Sequence, residues 1–358
     1  MLAGHTLLQE WVPIYDIIQH RPAVDYQEGG AGSSFPIFTG IVSYRDGRRC
    51  QRTLRQLFGN ATSPSRLLVA VLEQVAPGDE RCLESLESAG GSGTSWPWLR
   101  QVAVRTLPAY RAAGPVSARA ELGSMLEALR DKWQRGSIGA ALGDRSGGGE
   151  FCLQLDAHMF LAPGWDAQLI GSWRRARNPR AVLSTYAVPA RSAGFERAGH
   201  AGKEEEEEEE EEEEARSAPH LCRARFTMEG VPTFEASRPA RGHQGPLPSP
   251  FWSGHLSFGP CAAGALGDAR YDPSLPGLFW GEEVGVAARL FTHGWDVYSP
   301  DVAPVAHDYD RFSMRPWRWD YLSLANSLRR TYALLRLPGG RSGRRPADLG
   351  PFGLGCER

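Results

Sequence analysis

Short apolar segments alternate with segments of helical periodicity along the first half of the chain, and this alternation constrains the fold more than any other feature. The apolar segments predict strands because they are rich in β-branched and aromatic residues and are bounded by turn-forming residues. Strands that alternate with helices predict an α/β fold with a mostly parallel central sheet flanked by helices. The predicted strands are 36–44, 66–74, 98–108, 151–161 and 181–187, and the predicted helices between them are 49–58, 115–133 and 165–177.

An unbroken run of eleven glutamates, Glu204–Glu214, interrupts this pattern. Like charges at this density repel one another and cannot bury a core, so the run predicts a disordered insertion, either inert or an acidic interaction segment. We predict a partly disordered lead-in at 1–34, a folded domain at 35–336 that contains the disordered insertion 191–220, and a flexible tail at 337–358.

The formal net charge of −2 includes the eleven glutamates, so the rest of the chain carries a net charge of +9. A mildly basic folded part suits an anionic ligand such as a nucleoside diphosphate. Nucleic acid is not expected as a partner, because no arginine-rich block is interleaved with aromatic residues.

The cysteines and the hydropathy pattern predict a cytoplasmic protein. No two cysteines form a CxxC pair, and several lie in apolar segments, so we expect buried free thiols rather than a zinc site. No segment reaches the ~20 consecutive apolar residues of a membrane-spanning helix. The six cysteines are Cys50, Cys82, Cys152, Cys222, Cys261 and Cys356.

Polar residues follow two of the predicted strands, at Ser43–Asp46 and at Asp156–His158. Ligands of parallel sheets bind beyond the carboxyl ends of the strands, so both segments are expected to border the binding crevice. Residues two apart on a strand face the same side, so Asp156 and His158 can reach one cation. A carboxylate with an imidazole suits manganese, but most triplets of this kind are structural. A lone histidine such as His307 is also more often a core or surface residue.

Adjacent carboxylates at Glu282 and Glu283 precede a segment of helical spacing. Acidic residues favour a helix N-terminus, so the pair is explained equally well as a helix start or as a carboxylate that faces the crevice.

Short motifs follow one another in a constant order along the chain. They are SYRD (43–46), Cys50 with Thr53 and LF (57–58), AAGPVSAR (112–119), LQLDAH (153–158), WDAQLI (165–170), NPRAVLSTY (178–186), LSF (256–258), YDPSLP (271–276) and GEE (281–283). The segment 269–311 resembles the polypeptide N-acetylgalactosaminyltransferases. The whole set of motifs more closely resembles the cytosolic hydroxyproline N-acetylglucosaminyltransferases, which modify the small adaptor subunit of SCF ubiquitin ligases.

The resemblance implies a GT-A type glycosyltransferase that uses UDP-N-acetylglucosamine and retains the donor's configuration. It implies that Asp156, His158 and His307 bind Mn²⁺, or another divalent metal such as Mg²⁺. Glu282 and Glu283 would contact the transferred sugar or orient the acceptor hydroxyl. The implied donor-binding residues are Ser43, Tyr44, Arg45, Asp46, Arg119, Asp156 and Trp280. A surface salt bridge remains open for Arg45, and a place in the core remains open for Trp280.

The implied acceptor is a hydroxyproline of a protein, with the SCF adaptor subunit as the expected partner. Trp252 and His255 would form an aromatic and imidazole rim that suits a proline ring, although Trp252 could equally belong to the core. Departures from the family pattern, such as Ala120, affect the acceptor side most. Two alternatives remain open: a transferase with another UDP-sugar or a serine or threonine acceptor, and a degenerate, non-catalytic binding protein.

Overall fold

A computed structural model of the chain describes residues 35–84, 86, 96–136, 149–191, 217–237, 245–310 and 321–336. The predictions for the lead-in 1–34, the glutamate run 204–214 and the tail 337–358 lie outside these residues. The predicted domain boundaries stay predictions, and a strand already begins at His220, the last residue of the predicted insertion 191–220. No helix in the described ranges is both long enough and apolar enough to cross a membrane.

Thirteen strands, five α-helices and three short 3₁₀ helices make up the described part of the chain. The strands are β1 (Ile37–Tyr44), β2 (Leu67–Val75), β3 (Val102–Pro108), β4 (Phe151–Asp156), β5 (Met159–Leu161), β6 (Ala181–Thr185), β7 (Val188–Pro189), β8 (His220–Phe226), β9 (Pro232–Ser237), β10 (Leu247–Ser249), β11 (Leu256–Pro260), β12 (Asp296–Ser299) and β13 (Val305–His307). The helices are α1 (Gly47–Gly59), α2 (Pro115–Gln134), α3 (Trp165–Arg175), α4 (Glu282–Thr292) and α5 (Tyr321–Leu334), with 3₁₀ turns at Pro64–Arg66, Leu99–Gln101 and Ala109–Arg111.

Eight strands form the central sheet in the order β10-β12-β6-β11-β4-β1-β2-β3. β1 is parallel to both β2 and β4, β2 is parallel to β3, and β6 is parallel to β12. β11 runs antiparallel between β4 and β6, and β10 is antiparallel to β12. The predicted α/β fold with a mostly parallel central sheet is confirmed.

Helices cover both faces of this sheet. Along β1, Ile37 and Ile41 pack on one side with α1 and α3, whereas Phe38 packs on the other side with α2. The side chains of a strand alternate between faces, so a strand in which both sets are apolar is buried on both sides. This burial explains why β1 and β2 read as continuous apolar segments in the sequence.

The prediction of a single strand at 151–161 is wrong. The chain leaves the central sheet after Asp156, turns at residues 157–158, and continues as β5 in a second sheet of order β5-β13-β7. The hydroxyl of Thr53 in α1 lies 2.9 Å from the carbonyl oxygen of Ala157 and 3.0 Å from the backbone nitrogen of Met159, which satisfies the turn's backbone groups. β5 then pairs antiparallel with β13, with Met159 opposite His307.

Four of the six cysteines form disulfides, so the expectation of free thiols is wrong for them. Cys50 in α1 bonds to Cys82, and Cys152 in β4 bonds to Cys261. The partners are 32 and 109 residues apart, and only the tertiary fold brings their Cα atoms to 5.1 and 4.7 Å. Cys222 is exposed and stands outside these pairs, with its sulfur 3.1 Å from the Ser237 hydroxyl. Cys356 lies outside the described residues.

Candidate active site

The carboxyl ends of β1 and β4 meet at one edge of the central sheet. Val42 of β1 is in register with Asp156, the last residue of β4. The segment Ser43–Asp46 therefore leaves the sheet beside Asp156, as the sequence predicts for a crevice at this edge.

The structure brings the three predicted metal ligands together. Asp156, His158 and His307 each offer one ligand atom, and these atoms lie within 4.8 Å of one another. Nε2 of His307 is 3.5 Å from Oδ2 of Asp156, and the two imidazole rings have centroids 4.6 Å apart. The proximity of Asp156 and His158 comes from the turn after β4, not from the alternation along one strand on which the prediction was based.

Pairing between distant segments places His307 in this cluster. β13 aligns His307 with Met159, directly after His158 in the chain. The backbone nitrogen of Asp308 donates a hydrogen bond of 3.0 Å to the carbonyl oxygen of His158. The second sheet is therefore the element that brings the late histidine to the early Asp-Ala-His triplet.

The protonation states of the cluster suit a cation. Burial alone would raise the pKa of the Asp156 carboxyl, but the contact with His307 and the charge of Arg119 hold that pKa well below its ordinary value. Burial lowers the pKa of His307, although Asp156 opposes this shift. An ionised carboxylate beside a neutral imidazole is the form in which these groups bind metals.

The donor set fits a divalent transition metal. Nδ1 of His158 is 3.0 Å from Oδ2 of Asp46, which leaves Nε2 of this ring for a metal. Nδ1 of His307 is buried and has no hydrogen-bond partner within the described part of the chain. One carboxylate and two imidazoles favour Mn²⁺ over the strictly oxygen-seeking Mg²⁺.

Arg119 links this cluster to the paired glutamates. One nitrogen of its buried guanidinium donates a 2.8 Å hydrogen bond to Asp156, and another donates to Glu282. The Tyr271 hydroxyl lies 3.0 Å from the same Glu282 oxygen and 2.7 Å from the side-chain oxygen of Gln154. Arg119 thus contacts a predicted metal ligand and a predicted catalytic residue at once.

Glu283 has hydrogen-bond partners that differ from those of Glu282. Its carboxylate accepts hydrogen bonds from the Tyr186 hydroxyl at 2.5 Å and from the Gly254 backbone nitrogen at 3.0 Å. Burial raises the pKa of Glu283 to about 7, despite these two bonds. Both glutamates occupy the first turn of α4, and both carboxylates have protein partners. The interpretation of Glu282 and Glu283 as only a helix start is therefore incomplete, because both side chains also form specific contacts.

Two residues predicted to bind the nucleotide, Arg45 and Asp46, already form hydrogen bonds within the protein. Arg45, which has a φ of 53°, donates to both carboxylate oxygens of Asp79 at 2.7 and 3.0 Å, in line with the salt-bridge alternative. Asp46 accepts a 2.8 Å hydrogen bond from Arg49 in addition to its contact with His158. Ser43 is buried within β1.

The predicted aromatic residues lie in different surroundings. The side chain of Trp252 is 3% exposed, packs in a core cluster with Tyr271, and donates from its indole to the Ser257 hydroxyl at 2.9 Å. This burial favours the core alternative for Trp252. Trp280 is 42% exposed and packs edge-on against Phe279, so the core alternative does not describe it.

His255 lies directly against the candidate metal ligands. Its ring stacks on that of His307, with centroids 4.6 Å apart and an angle of 17° between the planes. Burial lowers the pKa of His255 to about 3, so this imidazole is neutral at physiological pH. Tyr309 contacts both histidines, with its hydroxyl 3.2 Å from Nδ1 of His255 and its ring centroid 4.1 Å from that of His307.

Sequence reasoning missed several residues of this site. Tyr186 and Tyr271 stand in motifs that were noted only as markers of the family, and Tyr309 follows His307 by two residues. Arg49 stands on a helix whose spacing predicted only packing. The family motifs were the signal that could have indicated Tyr186 and Tyr271. For Tyr309 and Arg49 the signal was closeness in the sequence to a candidate site residue, His307 and Asp46 respectively.

Comparisons with known proteins bear on the family and the fold of this chain. The family model "Glycosyltransferase (GlcNAc)" matches residues 36–340. The crystal structure of GalNAc-T7 with UDP, GalNAc and Mn²⁺ is similar with a TM-score of 0.54 and 15% identity, over 89% of this chain and 53% of that chain. This chain thus spans about half of the GalNAc-T7 chain.

Two further solved structures are more distant. The mannosyltransferase PcManGT from Pyrobaculum calidifontis, in complex with GDP-Man and Mn²⁺, has a TM-score of 0.42 and 12% identity, over 88% of this chain and 67% of that chain. S. aureus TarS 1–349 has a TM-score of 0.41 and 10% identity, over 89% of this chain and 80% of that chain. No curated protein matches the sequence.

The likeness to GalNAc-T7 confirms the predicted GT-A fold. The family match extends over most of the chain and contains all of the candidate site residues. This chain belongs to the Glycosyltransferase (GlcNAc) family.

Proposed function

We propose that this protein transfers N-acetylglucosamine from UDP-N-acetylglucosamine to a hydroxyl group of a protein, with a bound divalent metal ion and with the donor's configuration retained. The observation that carries the proposal is the cluster of Asp156, His158 and His307 at the carboxyl edge of the sheet in a chain of this family. The fold neighbour GalNAc-T7 was crystallised with UDP, GalNAc and Mn²⁺, which supports the same class of donor.

Asp156, His158 and His307 would hold the metal, for which we propose Mn²⁺ with Mg²⁺ as the alternative. When bound, such an ion neutralises the negative charge that develops on the departing nucleoside diphosphate. The contribution of Arg119 is to hold Asp156 ionised and fixed in direction, through a charged hydrogen bond of 2.8 Å.

The carboxyl end of β1 is the proposed nucleotide side of the cleft. Ser43 and Tyr44 end the strand next to Asp156, where backbone groups can meet the base and ribose. Arg45 and Asp46 would have to exchange Asp79, Arg49 or His158 for the nucleotide. We therefore assign them a smaller share of donor binding than the sequence suggests.

The two glutamates are proposed to act on the sugar side. Arg119 and Tyr271 hold the Glu282 carboxylate in one orientation. The Glu283 carboxyl, whose pKa is about 7, can either donate or accept a hydrogen bond near neutral pH. Transfer with retained configuration requires no strong general base, so these carboxyl groups orient hydroxyl groups and do not need to remove a proton.

The proposed acceptor is a hydroxyproline in a protein, with the SCF adaptor subunit as the expected partner from the resemblance. His255 and Tyr309 present an imidazole and a phenol ring beside the cluster, and Tyr309 is 42% exposed. A proline ring offers an apolar face and one hydroxyl, which suits such a surface. Trp280 remains a candidate for the wall of the sugar pocket.

Hydrolysis of a panel of UDP-sugars, with and without Mn²⁺, tests the donor. We expect Mn²⁺-dependent hydrolysis of UDP-N-acetylglucosamine above all others, and its loss in EDTA. Faster hydrolysis of another UDP-sugar would overturn the assignment of the donor sugar but would still agree with a glycosyltransferase. No hydrolysis of any UDP-sugar would favour a non-catalytic binding protein.

Matched peptides that differ only in a hydroxyproline or a serine test the acceptor. We expect transfer to the hydroxyproline peptide. Transfer to the serine peptide alone would overturn the acceptor assignment and leave the donor assignment intact.

A further inference from the structure

We propose that Arg49 is a positioning residue that couples the two histidine ligands of the metal site through two carboxylates, Asp46 and Asp308. The inference rests on the metal site of the proposed function. It assigns a role to a residue of α1 that is not one of the three candidate metal ligands.

Arg49 occupies a central place among these groups. Its side chain is largely buried in the first turn of α1. Nε donates a 2.8 Å hydrogen bond to Oδ1 of Asp46. Nη1 lies 3.8 Å from Oδ1 of Asp308 and 3.4 Å from the carbonyl oxygen of Asp310. One planar guanidinium therefore faces both carboxylates.

The first carboxylate orients His158. Asp46 uses one oxygen for Arg49 and the other for Nδ1 of His158, at 3.0 Å. A histidine that binds a metal through one nitrogen commonly donates its other N–H to a carboxylate, which fixes the tautomer and the direction of the ring. Asp46 has this position relative to His158.

The second carboxylate fixes the strand that carries His307. Asp308 follows His307 in the chain, and its backbone nitrogen bonds to the carbonyl oxygen of His158. Its side chain accepts a 2.8 Å hydrogen bond from Arg52, one turn after Arg49 on the same helix. Both histidine-bearing segments are thus attached to one face of α1.

The start of α1 is itself anchored to the loop after β2. Cys50 is bonded to Cys82, and the side chain of Gln51 donates to the carbonyl oxygen of Arg81 at 2.7 Å. Gly47 packs so closely on this loop that a Cβ there would lie 1.9 Å from the carbonyl oxygen of Glu80. The backbone of Arg49 is therefore held in place, and its side-chain contacts with Asp46 and Asp308 restrict the positions of the two histidines.

An arginine suits this coupling better than a lysine does. A guanidinium presents several donors in one plane and can meet two carboxylates in fixed directions, whereas a lysine ammonium is a point charge on a flexible stem. Loss of the groups that orient metal-binding histidines commonly weakens metal affinity by about 10- to 100-fold. We expect a loss in this range for Arg49→Gln and a smaller loss for Arg49→Lys.

The test is titration of the metal-stripped full chain with Mn²⁺ by calorimetry, in the presence of UDP. The variants are Arg49→Gln and Arg49→Lys, and the matched control is Arg48→Gln, which changes the exposed neighbour of Arg49 on the same helix. We expect weaker Mn²⁺ binding for the Arg49 variants only, and recovery of UDP-sugar hydrolysis at high Mn²⁺. If Arg49→Gln does not fold, Asp308→Asn replaces it with the same expected loss.

The outcomes separate this inference from the proposed function. A wild-type protein that binds no Mn²⁺ would remove the metal site and the inference with it. If Arg49→Gln binds Mn²⁺ as tightly as the wild type, Arg49 does not position the ligands. The same follows if this variant hydrolyses the UDP-sugar slowly even at saturating Mn²⁺. Neither result would contradict the metal site itself.

Discussion

Glu283 illustrates how the surroundings of a single residue change its chemistry. Its carboxyl is removed from water beside Glu282, and the two hydrogen bonds from Tyr186 and Gly254 do not fully compensate for that loss. The folded protein therefore holds the proton of Glu283 up to a pKa of about 7, compared with an ordinary value of 4.5. Adjacent acids in a sequence do not reveal such a difference.

This shift makes stability depend on pH. The folded state binds the proton more tightly than the unfolded state, so the free energy of unfolding falls as the pH rises from about 4.5 to about 7, by at most roughly 3 kcal/mol. Glu283→Gln lacks this group and should lose less stability than the wild type between pH 5 and pH 8 in urea unfolding. Equal losses in both proteins would contradict the shifted pKa.

The metal ligands give a second prediction at the residue scale. Asp156→Ala and His307→Ala should each lower UDP-sugar hydrolysis by about 100-fold or more, because a displaced ligand misplaces the diphosphate. His293→Ala is the matched control, since this histidine bonds to the carbonyl oxygen of Arg289 at the end of α4, away from the cluster. Near wild-type hydrolysis in His307→Ala would remove His307 from the site.

At the scale of elements, α1 and the second sheet position the site together. α1 supplies Thr53 to the turn after β4, and it pairs through Arg52 with Asp308 after β13. The helix therefore contacts both segments that carry the histidines. A shift of α1 relative to the sheet would move the two ligands at once.

Two glycines of α1 test this role. In Gly47→Ala the new methyl group would meet the backbone of Glu80, which should destabilise the protein by about 1–3 kcal/mol and weaken Mn²⁺ binding. In Gly59→Ala no atom lies within 4 Å of the new Cβ, and alanine favours a helix, so stability should be unchanged or slightly higher. Urea unfolding measures both. Equal stability of the two variants would contradict the close packing at Gly47.

The disulfides are a further prediction at this scale. Alkylation of the unfolded protein without reductant should spare Cys50, Cys82, Cys152 and Cys261, as read by peptide mass spectrometry. Reduction should cost about 3–5 kcal/mol for each disulfide, because loops of 32 and 109 residues are released in the unfolded state. Labelling of all four cysteines without reductant would contradict the two disulfides.

Disulfides persist mainly in oxidising compartments, so the same measurement on protein from its own cells bears on the predicted cytoplasmic location.

At the scale of the whole molecule, the described ranges form the eight-stranded central sheet, a three-stranded sheet at the edge that carries the candidate site, and a two-stranded sheet of β8 and β9. The chain corresponds to about half of the GalNAc-T7 chain, and the family match extends over 36–340. The glutamate run lies within the matched range but outside the described residues.

Deletion of Glu204–Glu214 should leave the melting temperature and UDP-sugar hydrolysis unchanged. Because eleven adjacent like charges repel one another, we expect the run to contribute no packed contacts. Replacement of the run by a glycine-serine linker of the same length controls for the shortened connection. A clear loss of either property in both variants would show that the run takes part in folding or catalysis.

Local patterns in the sequence determined the fold class and the identity of the candidate ligands. Strand and helix periodicities record which faces are buried, so β1, β2, α1 and α2 could be predicted to within a few residues. The ordered motifs indicate the glycosyltransferase fold, and the family resemblance that they carry identifies Asp156, His158 and His307 as candidate ligands.

Only the tertiary structure decided how those residues meet. The turn after Asp156 leads the chain from the central sheet into a second sheet. The pairing of β5 with β13 and both disulfides join segments that are distant in the chain. The partners of Arg45 and Asp46 were likewise decided by proximity, because Asp79 and His158 approach them only in the folded protein. Local periodicity records the burial of a segment's own faces, whereas contacts between remote segments depend on the packing of the whole chain.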